Sequence, residues 1–139
     1  MAKVSMSMDL GVSADKLWDM IGLFHGLHDW HPAVERTEIE GEGKGSLRTL
    51  HLVGGGEIVE RLEQLDEEGK KYNYSILSSP LPVANYNSTI SVKESDDGSC
   101  KVQWESEFNP SGAPENDAVK AIQGVYQAGF DNLKKMFGG

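Results

Sequence analysis

GGEIVERLEQLD, residues 55–66, alternates like a strand but carries a charge where an apolar residue belongs. Ile58, Glu60, Leu62 and Gln64 share one parity; Glu57, Val59, Arg61, Glu63 and Leu65 share the other. Successive strand side chains point to opposite faces, so burying Ile58 and Leu62 takes Glu60 inward with them. A buried carboxylate without a partner is costly, so a cation should accompany it. The preceding strand, SLRTLHL (46–52), supplies one: Arg48, Leu50 and Leu52 form its more apolar parity. Glu60 and Arg48 are therefore candidate inward charges on neighbouring strands.

Working outward, KVSMSMDLGV sets Val4, Met6, Met8 and Leu10 against Ser5, Ser7 and Asp9, a half-buried strand. Ser13 fits a helix N-cap, and Leu17, Trp18, Ile21 and Phe24 follow at helical spacing, which predicts a helix stopping near Gly26, before Pro32. From Val34 to Pro110 the signals are strand and turn. GGG (54–56), EEGK (67–70), PLP (80–82) and DDGS (96–99) separate apolar, alternating runs. Six strands in a meander, completed by the first, give a seven-stranded antiparallel sheet. A long helix is predicted over Glu115–Phe137, where Val119, Ile122, Tyr126, Phe130, Leu133 and Phe137 form one stripe. The expectation is an α+β fold: a curved sheet wrapping the last helix, with short helical structure after the first strand.

At 139 residues the chain suits a single domain, and its 38% hydrophobic and 25% charged content is ordinary for a globular protein. A net charge of −9 repels phosphate backbones and anionic headgroups, so nucleic-acid and membrane partners are not expected. One cysteine, Cys100, cannot form an internal disulfide; with no signal-peptide pattern, a cytoplasmic setting is expected. Cys100 lies on an apolar strand parity and reads as a buried, inert thiol.

The other strands add polar groups to the same face. KYNYSI turns Tyr72, Tyr74 and Ile76 inward, NYNSTISV turns Tyr86, Ser88, Ile90 and Val92 inward, and CKVQWESEF turns Cys100, Val102, Trp104, Ser106 and Phe108 inward. A solid core with a structural ion pair is one reading. A lined cavity is the other, and it accounts better for the hydroxyls of Tyr72, Tyr74, Tyr86 and Ser88 beside two charges. Gly124, Ala128 and Gly129 in the last helix leave room for close packing on the sheet or for a ligand.

The element order, the opening SADKLWDMIGLFHGLHDWHPAV, the Gly43-Lys44-Gly45-Ser46-Leu47-Arg48 run, ERLEQLD and the C-terminal amphipathic helix resemble the START-like helix-grip superfamily, in particular its polyketide cyclase/dehydrase-like branch. The resemblance implies a sheet gripping the last helix around a hydrophobic ligand cavity, with no external cofactor. SLRTL and VERL are similar to the arginine and glutamate segments of plant lachrymatory factor synthases, which implies Arg48 and Glu60 as catalytic residues and Tyr74 and Tyr86 as cavity tyrosines. ERLEQLD is similar to a stretch of plant abscisic acid receptors, whose Leu-Pro gate loop is replaced here by VGGG (53–56).

The expected partner is thus a small hydrophobic ligand, bound by a monomer or weak homodimer. Glu60 would be its acid/base and Arg48 its polar anchor, in a cyclisation, dehydration or isomerisation; a non-catalytic carrier or sensor is the alternative. Trp30, Tyr72, Tyr74, Tyr86, Ser88, Trp104, Tyr126 and Phe130 are the expected ligand-binding residues. His25, His28 and His31 are spaced by three, but positions six apart diverge on a helix, and no metal site is expected. Trp30 and Pro32 are expected at the cavity rim. His51 is on the parity opposite Arg48 and should be exposed. GEGKG (41–45) leads into a strand, so it reads as a hairpin turn, not a phosphate loop.

Overall fold

The computed structural model describes residues 1–138. In chain order the elements are β1 (Ala2–Leu10), α1 (Ala14–Ile21), a 3₁₀ helix (Phe24–Asp29), β2 (Val34–Glu40), β3 (Leu47–Leu52), β4 (Glu57–Asp66), β5 (Lys71–Ser78), β6 (Val83–Glu94), β7 (Cys100–Pro110) and α2 (Glu115–Phe137). All seven strands form one antiparallel sheet in the order β1-β7-β6-β5-β4-β3-β2. The first strand joins the end of the meander, pairing with β7 from Ala2↔Phe108 to Leu10↔Cys100.

The strand parities expected above are the observed ones. On β7, Cys100, Val102, Trp104, Ser106 and Phe108 are buried, and the alternate residues Lys101, Glu105 and Glu107 are exposed. α2 crosses this face against β1 and β7, burying Ala118, Ile122, Tyr126, Gly129, Phe130 and Leu133. Lys134 and Lys135 sit in its last turn and Glu115 and Asp117 in its first, which suits the helix dipole.

The first helix is shorter than its spacing suggests. Ser13 caps it as expected, accepting from the Lys16 amide at 3.2 Å, but α1 ends at Ile21. A Cβ on Gly22 would lie 2.5 Å from the Trp18 indole, so the chain can pass only as glycine. Leu23 then turns extended and the 3₁₀ helix returns Phe24 and Leu27 to the core. Phe24 therefore completes the apolar spacing of α1 from a separate helix.

Two of the sheet's register shifts bear on its inner face. In β4 the pairing shifts between Leu62 and Gln64, so the inward parity of the opening stretch ends at Leu62 and Gln64 is exposed. In β6 it shifts between Ala84 and Asn87, with Asn85 at φ 55°. An extra residue in a strand bends it and re-aims its neighbours, and asparagine tolerates the left-handed conformation better than most. Tyr86 follows immediately and is buried beside Phe108, their ring centroids 6.1 Å apart.

Candidate functional site

The charged pair is built by one hairpin. β3 and β4 pair in the register Arg48↔Glu60, so the two side chains stand opposite each other on the inner face. The connecting turn includes Gly54, Gly55 and Gly56 at φ +88°, +105° and +100°, backbone that other residues rarely adopt. Arg48 is 0% and Glu60 4% exposed. Arg48 Nε donates to Glu60 Oε1 at 2.7 Å. Nη2 comes to 2.7 Å from the same oxygen, at an angle that leaves it without a hydrogen bond. Nη1 donates to the Phe24 carbonyl at 2.8 Å and to the Tyr72 hydroxyl at 3.4 Å. The guanidinium carbon lies 4.1 Å from the Phe24 ring centre and 4.9 Å from that of Tyr74.

Both contacts converge on Oε1, and Oε2 of Glu60 has no hydrogen-bond partner among the described residues. Burial pushes the Glu60 carboxyl above its ordinary value, against the opposing pull of Arg48. Burial also opposes the Arg48 charge, but Tyr72 and Glu60 outweigh it and hold the guanidinium protonated.

Glu60 forms part of the wall of an apolar pocket of about 230 Å³. Leu50, Ile58, Ile76, Tyr74 and Tyr86 line it from the sheet; Leu27, His31, Ile122 and Val125 line it from the helical side. Its half-buried wall residues, Leu52, Ile76, Leu81 and Val125, with exposed Ala33, form the mouth. The β3–β4 turn meets the β5–β6 connection there: a Cβ on Gly56 would sit 4.0 Å from Pro80.

Of the residues expected at the site, Glu60, Tyr74, Tyr86 and Trp104 are in this wall. Arg48 and Tyr72 stand behind Glu60, while Trp30, Ser88, Tyr126 and Phe130 belong to a filled region beyond Trp104. Trp104 stacks on Tyr126 with ring centres 4.2 Å apart, and Trp30 lies 5.6 Å from Trp104. Gly129 is the close-packing glycine: a Cβ there would be 2.9 Å from Trp30 and 3.0 Å from His31. Gly124 is exposed, with open space around it.

Four of the inward hydroxyls, those of Tyr74, Tyr86, Tyr126 and Ser88, join into one chain. Trp104 Nε1 donates to Tyr74 Oη at 3.0 Å. Tyr74 and Tyr86 are 3.2 Å apart, Tyr86 and Tyr126 2.5 Å, and Tyr126 and Ser88 3.0 Å. Ser88 Oγ donates to the Glu105 carbonyl at 3.0 Å. Indole N–H can only donate and a carbonyl can only accept. Five contacts with five protons then leave one assignment that satisfies all: Trp104 to Tyr74 to Tyr86 to Tyr126 to Ser88 to Glu105. Burial raises the Tyr74 and Tyr86 phenols well above their ordinary value and pushes Tyr126 up to about 12, so all three are neutral.

Trp30, expected at the rim, is 1% exposed, and one histidine, His51, also differs from its sequence reading. His31 is 3% exposed, accepts from the Ala33 amide at Nδ1 (3.2 Å) and meets the Val125 carbonyl at Nε2 (2.7 Å). Those partners fix the neutral Nε2–H tautomer, and burial lowers the ring's pKa further. His51 is not exposed; its side chain is 17% exposed between Glu38 (3.2 Å) and Glu57 (3.4 Å). Long side chains of adjacent strands cover the ring although it is on the outer face. The wall residues missed in sequence, notably Leu27, Leu81 and Val125, come from turns and helix edges where strand parity carries no information. Cys100 is buried as expected, and burial raises its thiol pKa.

Among the described residues no helix is long and apolar enough to cross a membrane. The chain is similar over 99% of its length to a structure of the protein XoxI from Bacillus cereus, at 34% identity, 96% coverage of that chain and a TM-score of 0.93. An uncharacterised protein from Bacillus thuringiensis matches at 34% identity, 98% of both chains and 0.92. A Thermobifida fusca protein matches at 28% identity, 99% of this chain, 94% of that one and 0.88. No curated protein matches the chain. The family model described as polyketide cyclase / dehydrase and lipid transport matches residues 1–138. With a seven-stranded helix-grip sheet and an apolar pocket beneath it, the chain belongs to the polyketide cyclase/dehydrase and lipid transport family.

Proposed function

We propose that this protein binds a small, largely apolar molecule in the pocket beside Glu60, and that Glu60 moves a proton on it in a cyclisation, dehydration or isomerisation. The support is one atom: Glu60 Oε2, unpartnered on a carboxylate held by Arg48 in an otherwise apolar wall. A carboxyl with a raised pKa is the better proton acceptor, and general acid–base groups are tuned this way. Arg48 acts on Glu60 as a positioning residue, since it fixes Oε1 from behind the wall. An engineered apolar cavity of about 150 Å³ takes benzene, so 230 Å³ suits a molecule somewhat larger.

A second reading, carriage without turnover, is favoured by the scarcity of chemistry in the wall. Glu60 is its one charged residue, because Arg48 lies outside it. Native mass spectrometry of the purified protein tests both readings. A co-purified small organic molecule is the expected result; no adduct, and no thermal stabilisation by any small apolar compound in a screen, counts against them. With that molecule identified, Glu60→Gln separates the two. Lost turnover with retained binding supports proton transfer by Glu60, and unimpaired turnover rules it out.

A further inference from the structure

Among the described residues, the side chains of the pocket wall hold acceptors and no spare donor. Trp104, Tyr74 and Tyr86 each pass their one polar proton along the chain that ends on the Glu105 carbonyl. His31 gives its proton to Val125 and fills its other nitrogen with the Ala33 amide. The loop amides in the wall are spent as well: Val34 on the His31 carbonyl, Leu52 on Gly56 and Leu81 on Ser79. Among the described residues, the buried atoms able to donate and without a partner are Trp30 Nε1, Arg48 Nη2, His51 Nε2 and the Ser106 hydroxyl, and all four belong to residues outside the wall. Tyr72, which accepts from Arg48, is outside it too. Against this stands Glu60 Oε2, an acceptor with no proton offered to it.

We infer that the molecule this pocket selects carries a hydrogen-bond donor, a hydroxyl or N–H on a compact apolar frame, and gives that proton to Glu60 Oε2. Matched molecules ending in a carbonyl or an ether are disfavoured. This rests on the pocket being the ligand site, as proposed above. A polar ligand group that finds no partner keeps its full desolvation cost, so the discrimination comes as much from rejection as from attraction. A carboxylate fares worst, since the wall has no cation to meet it and an acidic group beside it.

Three fused-ring probes of nearly equal size test this by calorimetry on the whole protein at neutral pH: 2-naphthol (donor), 2-methoxynaphthalene (ether) and 2-naphthaldehyde (carbonyl). A hydrogen bond to a charged group predicts that naphthol binds about tenfold or more tightly than the other two. In Glu60→Gln, where an amide N–H₂ can face the pocket, that preference should shrink and the aldehyde should gain. Tyr126→Phe is a second, independent variant: it removes the acceptor of the Tyr86 proton, freeing a donor in the wall, and should raise aldehyde affinity several-fold. Equal binding of all three probes leaves the pocket standing as a ligand site but overturns the donor rule. A naphthol preference that survives Glu60→Gln, or an aldehyde affinity unmoved by Tyr126→Phe, overturns the assignment of acceptor and chain direction. Binding by none of the three overturns the pocket itself.

Discussion

The space between sheet and helices has two ends built from similar residues and finished differently. At the β7–α2 end, Trp104, Tyr126, Trp30 and Phe130 interlock around Gly129, and the hydroxyls of Tyr126 and Ser88 are spent within the chain. At the β3–β5 end, Leu50, Ile58 and Ile76 leave about 230 Å³ open, and one carboxylate oxygen is left unmatched. Inward polar side chains therefore do not by themselves indicate a binding site. What separates the two ends is whether the polar atoms are mutually satisfied and whether a small residue lets the opposing helix close in.

The sharpest break in that comparison is Arg48→Met. It strands a buried carboxylate, and removing one partner of a buried pair costs about 3–5 kcal/mol. Urea unfolding at neutral pH should show this loss, and Arg48→Met/Glu60→Gln should recover much of it. Were Arg48→Met nearly neutral, the carboxylate would have to be solvated, and the closed character of this end would be lost.

At the filled end, Gly129→Ala pushes a methyl against the Trp30 and His31 rings, which are hemmed in, and overpacking of this kind costs about 1–3 kcal/mol. Gly124→Ala on the same helix meets open space and should instead stabilise by about 0.5–1 kcal/mol through helix propensity. Thermal melts of the two variants moving in opposite directions would sharpen the contrast; equal shifts would erase it.

A smaller effect separates the ends by pH. Glu60 has its folded pKa raised above an ordinary 4.5, so its contribution is fully present below 4.5 and is lost as pH rises through the raised value. His31 is lowered from 6.5, so its contribution is present above 6.5 and is lost as pH falls through the lowered value. The two oppose one another on acidification. The groups around Glu60 are Arg48 on β3, Tyr74 on β5 and His31 across the pocket; Arg48 stays charged and Tyr74 neutral throughout. Between pH 7 and pH 5, Glu60→Gln should therefore lose more stability than the parent protein, as followed by urea midpoints. Parallel curves would mean that Glu60 does not titrate from a buried position.

Much of this arrangement is legible in the chain. Period-two alternation in GGEIVERLEQLD, SLRTLHL and CKVQWESEF is enough to send Glu60, Arg48 and Trp104 inward, because strand side chains have only two directions to choose between. The same alternation cannot distinguish a hollow end from a filled one. The Phe24 spacing misleads because Gly22 breaks the helix under Trp18, a contact between groups packed in space. Likewise His51 reads as exposed until the side chains of β2 and β4 fold over it.

Sequence alone determined the sheet, its inward charges and the helix that closes over them, since periodicity and turn chemistry are local properties. Tertiary structure alone decided that Arg48 backs Glu60 from outside the pocket, that Gly129 fills one end, and that the phenols spend their protons on each other. Those outcomes depend on distances of a few ångströms between residues far apart in the chain, such as Trp30 and Gly129, or Tyr86 and Tyr126, which are 40 positions apart. Hydrogen-bond direction is a property of the whole network, and no single segment of the chain contains it.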